Sequence, residues 1–445
     1  MNNNTEPFVL NAPPSKSMSH RALLVAGLAR GESRLSNILV SDDLTHTRAC
    51  LQALGADISD AGGDIVVRGV SGNISARNGQ TVLLDVGESG TTCRLVAAIA
   101  AAGRGSFEIS GRGRMHQRPI RSLEAALDPL GVDFQYLGLD GCPPVLISSS
   151  GLSGGETDIS LDDSSQYLSG ILLASTMAED RLTINIAGQK VVSWPYVNLT
   201  LQVMEEFGIV PEIQVWQQKA WHKADAQQID KVEPGQVRFI VSPGFFSSRD
   251  YQVEGDFSNG SYLLAAGALG RKAVLVQGLS SESRQGDKAI LDILEKMGAE
   301  VIRSDQGIMV RGGSLKGLDL DMGASPDLVP TVAVLASLAR GRTRISNVAH
   351  LKIKESDRLL GVYNEVSKTG CRCELLDDGL VIDPVEIQKG SKIDFSTYDD
   401  HRMAMSLSLY ELAGIRVHLD NPGCVNKSFP EFWHEWEKVR KTNEA

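Results

Sequence analysis

Near the amino end, Pro13-Pro14-Ser15-Lys16-Ser17-Met18-Ser19-His20-Arg21 sets a lysine, an arginine and three serines against the apolar run Ala22 to Ala29. Two prolines cannot continue a helix backwards, and Ser17 or Ser19 can cap one. The run from Ala22 onward therefore reads as a helix whose free N–H groups face Lys16 and Arg21. Such an end attracts anions. One stretch of this kind is equally an ordinary capped helix with solvated charges, but the arrangement recurs. Gly87-Glu88-Ser89-Gly90-Thr91-Thr92-Cys93-Arg94 puts two glycines beside a second helix start, where backbone can approach a ligand closely. Arg112, Arg114, Arg118 and Arg121 follow, in a segment that a solvated basic loop would also explain. Ser164-Ser165-Gln166 opens a third helix with groups that can donate to phosphate or sugar-like oxygens as well as cap. Lys352-Ile353-Lys354-Glu355-Ser356-Asp357-Arg358 is the densest charged cluster, and as a solvated helix face it would carry a Lys–Arg like-charge pair that gains nothing. Asp399-Asp400-His401-Arg402 opens a further helix, and Asn426-Lys427-Ser428-Phe429 follows the strand after it. Basic residues at corresponding ends of repeated segments, in a chain of net charge -11, point to a polyanionic small molecule.

The elements that must position these residues repeat six times. Small-residue helices carry Leu24-Val25-Ala26, Leu95-Val96-Ala97-Ala98, Leu172-Leu173-Ala174, Leu263-Leu264-Ala265-Ala266, Val334-Leu335-Ala336 and Met403-Ala404-Met405. Strand-like alternation follows, clearest at Leu182, Ile184 and Ile186 and at Ile415, Val417 and Leu419. A second helix then ends at Gly55, Gly131, Gly208, Gly298 or Gly370, at intervals of 76, 77, 90 and 72 residues, with glycine suited to a left-handed cap. A sixth, shortened copy ends the chain. At 445 residues, six such β/α repeats give an α/β (α+β) protein of two domains with three repeats each, dividing near Val253-Glu254-Gly255. Gln214 to Gln236, rich in Gln, Lys and Asp, reads as an elaborated surface loop of the third repeat.

The acidic balance, with a pI near 5.3, argues against a nucleic-acid surface. No apolar run approaches a membrane span, and the polar opening from Met1 to Glu6 has no signal-peptide core, so a cytoplasmic protein is expected. Cys50, Cys93, Cys142, Cys371, Cys373 and Cys424 show no paired spacing; free thiols are expected and no metal site.

With these residues quoted, the chain resembles the 5-enolpyruvylshikimate-3-phosphate synthase family from about Asn11 to Phe432. The family pattern Pro-Gly-Ser-Lys-Ser-x-Ser-Asn-Arg stands at Pro13 to Arg21, Lys-Glu-(Ser/Thr)-Asp-Arg-Leu at Lys354 to Leu359, and Asp-His-Arg-Met-Ala-Met at Asp400 to Met405. The resemblance implies a two-domain, inverted β/α barrel-like fold. Residues 15–253 would form the N-terminal domain and 1–14 with 254–445 the C-terminal one, each of three repeated β/α units, with the active site in the cleft between them. It implies a monomer that needs no metal or organic cofactor and transfers the enolpyruvyl group of phosphoenolpyruvate to the 5-hydroxyl of shikimate 3-phosphate. By motif, Lys16, Ser17, Arg21, Ser164, Ser165, Gln166, Ser193, Tyr196, Asp327 and Lys354 would hold shikimate 3-phosphate. Lys16, Gly90, Arg118, Gln166, Arg358, Arg402 and Lys427 would hold phosphoenolpyruvate. Glu355 would be the acid, with Asp327 and Lys16 sharing the remaining proton transfers.

Four positions depart from the family pattern. Pro14 replaces the usual Gly and His20 the usual Asn, while Glu88 stands where Asn is commoner, so its carboxylate must point away or pair with an arginine. His350 stands where some members place an Asn on shikimate. The sister family that acts on a nucleotide sugar usually carries a reactive Cys in the segment Gly111 to Pro119, which has none here. A relative that processes RNA ends would need a basic surface, and a non-catalytic relative would be expected to lack Glu355 or Lys16.

Overall fold

A computed structural model describes residues 6–76, 79–225, 229 and 232–443, and within it each repeat is assembled from the same parts. In the second repeat, strand Val82–Asp85 leads to an inner helix, strand Arg104–Ser110, an outer helix Arg121–Leu127, and the hairpin Val132–Tyr136 with Val145–Ser150. The first strand runs parallel to the second, with Val82 opposite Phe107; the hairpin strands are antiparallel, with Phe107 and Phe134 both opposite Ile147. The same order, one parallel strand and then an antiparallel pair, recurs in five of the six sheets, and the last copy stops at two strands.

The inner helices are α1 (Lys16–Leu28), α2 (Gly90–Ala101), α3 (Gln166–Ser175), α4 (Phe257–Leu269), α5 (Val329–Ser337) and α6 (His401–Ser408). They are buried nearly all round, polar first turns included, which places them inside a core. All nine residues of α5 are buried. The outer helices are amphipathic by contrast: Ile290–Met297 buries Ile290, Leu291, Ile293, Leu294 and Met297 and exposes its charges.

Two compact units result, Lys16–Val253 and Met1–Ser15 with Glu254–Ala445. Each has its own hydrophobic core and three repeats. The parallel strand of the first repeat comes from the far end of its unit, Asp250–Gln252 against Glu32–Ser36; that of the fourth comes from the amino end, Phe8–Asn11 against Val274–Gln277. Ser15 goes with the split unit rather than with 16–253, because its N–H donates to the Glu254 carbonyl at 2.7 Å and its hydroxyl to Gln285 Oε1.

Two other expectations change. The first helix begins at Lys16 instead of Ala22, so Ser17 and Ser19 lie inside it and cap nothing; Ser19 Oγ instead accepts from the Leu39 N–H at 3.0 Å. The polar stretch from Gln214 to Gln236 opens with a hairpin, Glu212–Gln217 with Ala220–Ala224, whose Trp216 and Trp221 pair across the strands. Within that stretch 226–228 and 230–231 lie outside the described residues, as does the opening 1–5. Among the described residues no helix is long and apolar enough to cross a membrane, and no group of three or more His, Cys, Asp or Glu could hold a metal ion.

Candidate active site

In the Lys16–Val253 unit the expected residues gather at the starts of helices. Lys16 is the first residue of α1 and pairs with Asp43, which lies in the first turn of helix Asp42–Ala53. The Asp43 carbonyl also accepts from Thr92 Oγ1 in the first turn of α2, which ties the two helix starts together. Arg21, 1% exposed, points back along α1. Its guanidinium donates to Thr200 Oγ1 at 2.7 Å, to the Ser17 carbonyl and the Tyr196 carbonyl, each at 2.9 Å, and to Ser169 Oγ. All four partners are neutral, and burial lowers the Arg21 pKa to about 10. A buried cation without a carboxylate partner is a place prepared for an anion.

Gly90, the first residue of α2, lies directly under the guanidinium groups of Arg118 and Arg94, so that a Cβ there would collide with both. Arg118 is buried and donates to the Glu88 carbonyl at 3.2 Å. The Glu88 carboxylate itself packs over Gly113, whose positive φ and missing Cβ let it lie there. Gln166 accepts from Arg94 at 3.1 Å and donates to Thr91 Oγ1 at 3.0 Å, tying α3 to α2. Of the two serines before it, Ser164 supplies the cap, accepting from the Gln166 N–H at 3.2 Å, while Ser165 makes no side-chain cap bond. Ser193 is held at φ +55° immediately before helix Pro195–Glu206, and its carbonyl accepts from the Tyr196 N–H.

In the other unit the charged cluster is no helix face. Lys354 and Glu355 precede helix Arg358–Ser367, whose cap is Asp357, and Arg358 is 1% exposed. Its Nη1 donates to Asp327 Oδ1, its Nη2 to Glu355 Oε2 and its Nε to Asp400 Oδ2, each at 2.9 Å. Arg402 Nη2 donates to the other Asp327 oxygen at 2.8 Å. Burial alone would push the Asp327 carboxyl up, but the Arg402 and Arg358 guanidiniums, helped by Lys354, hold it below the usual carboxylate range. For Arg358 burial is likewise outweighed, here by Asp400, Glu355 and Asp327, and its pKa rises. Asp400, fully buried, accepts from the Arg402 N–H at the start of α6 and from Ser356 Oγ. Lys427 closes the 3-10 turn Pro422–Lys427, and the next residue, Ser428, is bonded through its carbonyl to Asn259 in the first turn of α4. His350 is buried within the turn Ala349–Ile353.

The structure thus joins Ser17, Arg21 and Tyr196; Gly90, Arg118 and Gln166; and Asp327, Glu355, Arg358 and Arg402. Reading the sequence left Asp43, Thr200, Ser169 and Asp400 without roles. Asp43 follows the cap residue Ser41 and Asp400 stands inside a quoted motif, so each carried a local signal, whereas nothing in the sequence links Thr200 to an arginine 179 residues away.

The same architecture is found in solved EPSP synthase structures from Acinetobacter baumannii: one superposes with a TM-score of 0.74 at 24% identity, covering 97% of this chain and 95% of that one. The sequence relationship is closer. The EPSP synthase (3-phosphoshikimate 1-carboxyvinyltransferase) family profile matches residues 8–436. The 3-phosphoshikimate 1-carboxyvinyltransferase of Shewanella denitrificans is 39% identical over 440 residues, 98% of this chain and 96% of that protein, and that of Vibrio atlanticus 38% over 428 residues, 95% of each. The chain belongs to the EPSP synthase family.

Proposed function

We propose that the chain transfers the enolpyruvyl group of phosphoenolpyruvate to the 5-hydroxyl of shikimate 3-phosphate, releasing phosphate, in the route to chorismate and the aromatic amino acids, and that residues of both units act on the same pair of substrates. The observation that carries this reading is the cluster in which Arg358 and Arg402 hold Asp327 and Glu355 in an enolpyruvyl-transferase chain. Arg21, with Ser17, Ser164, Ser165, Gln166, Ser193, Tyr196 and Lys354, takes shikimate 3-phosphate. Lys16, Gly90, Arg118, Gln166, Arg358, Arg402 and Lys427 take phosphoenolpyruvate.

The reaction needs a proton delivered to the methylene carbon and one removed from the 5-hydroxyl as its oxygen attacks the adjacent carbon. A proton must then leave the new methyl group as phosphate departs. Glu355 is the acid and Asp327 the acceptor, with Lys16 sharing the proton traffic. Arg402 and Arg358 hold the Asp327 carboxyl below the usual carboxylate range, and Glu355 is bonded to the same Arg358 guanidinium. An anionic substrate that draws Arg358 and Arg402 toward itself weakens those bonds and raises the proton affinity of both carboxylates together. Binding thereby prepares Glu355 to carry a proton and Asp327 to accept one. The protein acts as a monomer in the cytoplasm.

Phosphate release is the test. It is expected only when shikimate 3-phosphate and phosphoenolpyruvate are both present; release with a UDP-sugar in place of shikimate 3-phosphate would overturn the assignment.

A further inference from the structure

The turn that leads into α6 is built from residues that ordinarily avoid its backbone shape. Tyr398 and Asp399, between strand Lys392–Phe395 and α6, stand at φ +56° and +54°. Asp tolerates the left-handed region because its short side chain can bond locally, and here Asp399 Oδ1 accepts from Asn421 Nδ2 at 2.7 Å. A tyrosine has no such means, and left-handed residues of this kind persist only where the surroundings over-determine them.

The surroundings are supplied by helix Arg358–Ser367. Glu365, in its last turn and 1% exposed, accepts from the Tyr398 hydroxyl through Oε1 and from the Ser396 N–H through Oε2, each at 2.8 Å. Lys368 donates to Glu365 Oε2 at 2.6 Å and to the Asp394 carbonyl at 3.1 Å, so the carboxylate is itself held. The Tyr398 ring lies over Gly361, where an added Cβ would touch it at 3.4 Å. At the other end of the helix Arg358 Nε donates to Asp400 Oδ2. Arg358, Gly361 and Glu365 stand at i, i+3 and i+7, so one face of one helix bonds the chain on both sides of the strained pair. The dihedrals of the turn then decide where Asp400 stands between Arg358 and the Arg402 N–H. We propose that Glu365 and Tyr398 are positioning residues of the transfer site: their hydrogen bond holds the strained turn, and the turn sets Asp400, and through it Arg358 and Arg402, in place for phosphoenolpyruvate. The inference rests on the reaction proposed above.

Steady-state phosphate release by the full chain carrying Tyr398→Phe tests it, since phenylalanine keeps the ring over Gly361 and loses only the hydroxyl. A misplacement of 1 Å can cost roughly 10²-fold, so kcat/KM for phosphoenolpyruvate should fall about tenfold for a smaller shift. KM for shikimate 3-phosphate, most of whose proposed partners lie in the other unit, should stay within about twofold. In a Glu365→Ala background Tyr398→Phe should have no further effect, because the bond they share is already gone. Hydrogen exchange read by mass spectrometry needs no substrate and serves equally if Glu365→Ala does not fold. In Tyr398→Phe the segment 396–402, where the Asp400 N–H is bonded to the Thr397 carbonyl and the Arg402 N–H to Asp400 Oδ1, should exchange roughly tenfold faster, while 359–365 keeps its rate. A wild type that releases no phosphate overturns the reaction, and exchange still judges the turn. Unchanged exchange in 396–402, a lower Tm with kcat and both KM values unmoved, or losses from Glu365→Ala and Tyr398→Phe that add, overturn the role of the pair.

Discussion

Arg21 and Arg358 are both buried guanidiniums, yet one faces four neutral oxygens and the other three carboxylates. The first is bonded to no carboxylate and the second to three, and in the reaction proposed above proton transfer is assigned to the second. Glu355→Gln should therefore lower kcat by about 10²–10⁴-fold while shikimate 3-phosphate binding, measured by calorimetry, changes far less. His20 offers a test that needs no substrate. It is fully buried, its Nδ1 is 2.8 Å from Thr47 Oγ1, and burial first, then Lys16, lowers its pKa from 6.5 to about 3. A group whose folded pKa is depressed stabilises above its unfolded value and loses that contribution as pH falls toward the folded one. Stability should thus decline from about pH 6.5 toward pH 3 with a slope of up to roughly 1.4 kcal/mol per unit from this group. Chemical denaturation of His20→Asn over that range should show the slope reduced by one proton. At this scale the candidate site was legible where a motif names the residue, as at Lys16, Arg21 and Glu355. It was hidden where a partner arrives from a distant segment, as Thr200 does at Arg21 from 179 residues away.

The six repeats place their inner helices alike, and that periodicity is why helix starts could be read as sites at all. The helix-ending glycines are where the pattern is most exposed to test. Gly131 sits at φ +89° after the outer helix of the second repeat, and an added Cβ would meet nothing within 4 Å. Its cost is then conformational alone: Gly131→Ala should destabilise by about 1–2 kcal/mol in urea unfolding, and Gly131→Asn by less. Element types followed from small-residue runs and glycine spacing, while boundaries did not. Pro13 and Pro14 gave a start signal for the first helix, but the serines within it suggested a later one, because capping and interior serines look the same until their partners are known. The hairpin Glu212–Gln217 with Ala220–Ala224 was obscured by its polar residues, since an exposed strand pair has no apolar alternation to display.

At the scale of the molecule, each unit has three repeats and its own core, but they differ in continuity: 16–253 is one stretch of chain and the other is two. A chain beginning at Lys16 and ending at Val253 should fold by itself, with a cooperative thermal transition by circular dichroism, and release no phosphate because Asp327, Glu355 and Arg358 are absent; a non-cooperative melt would refute its independence. The pairing of Phe8 with Val274 carries a further consequence for a chain made from its amino end. Strand Phe8–Asn11 cannot find its partner until about 260 more residues have been added, roughly 15–50 s at ordinary rates of synthesis. Through that interval its backbone donors and acceptors stay open to water or to another nascent chain. The 16–253 unit, complete by then, can fold without it. A brief strand of four residues, only one of them buried, is the sort least prone to mispair while it waits.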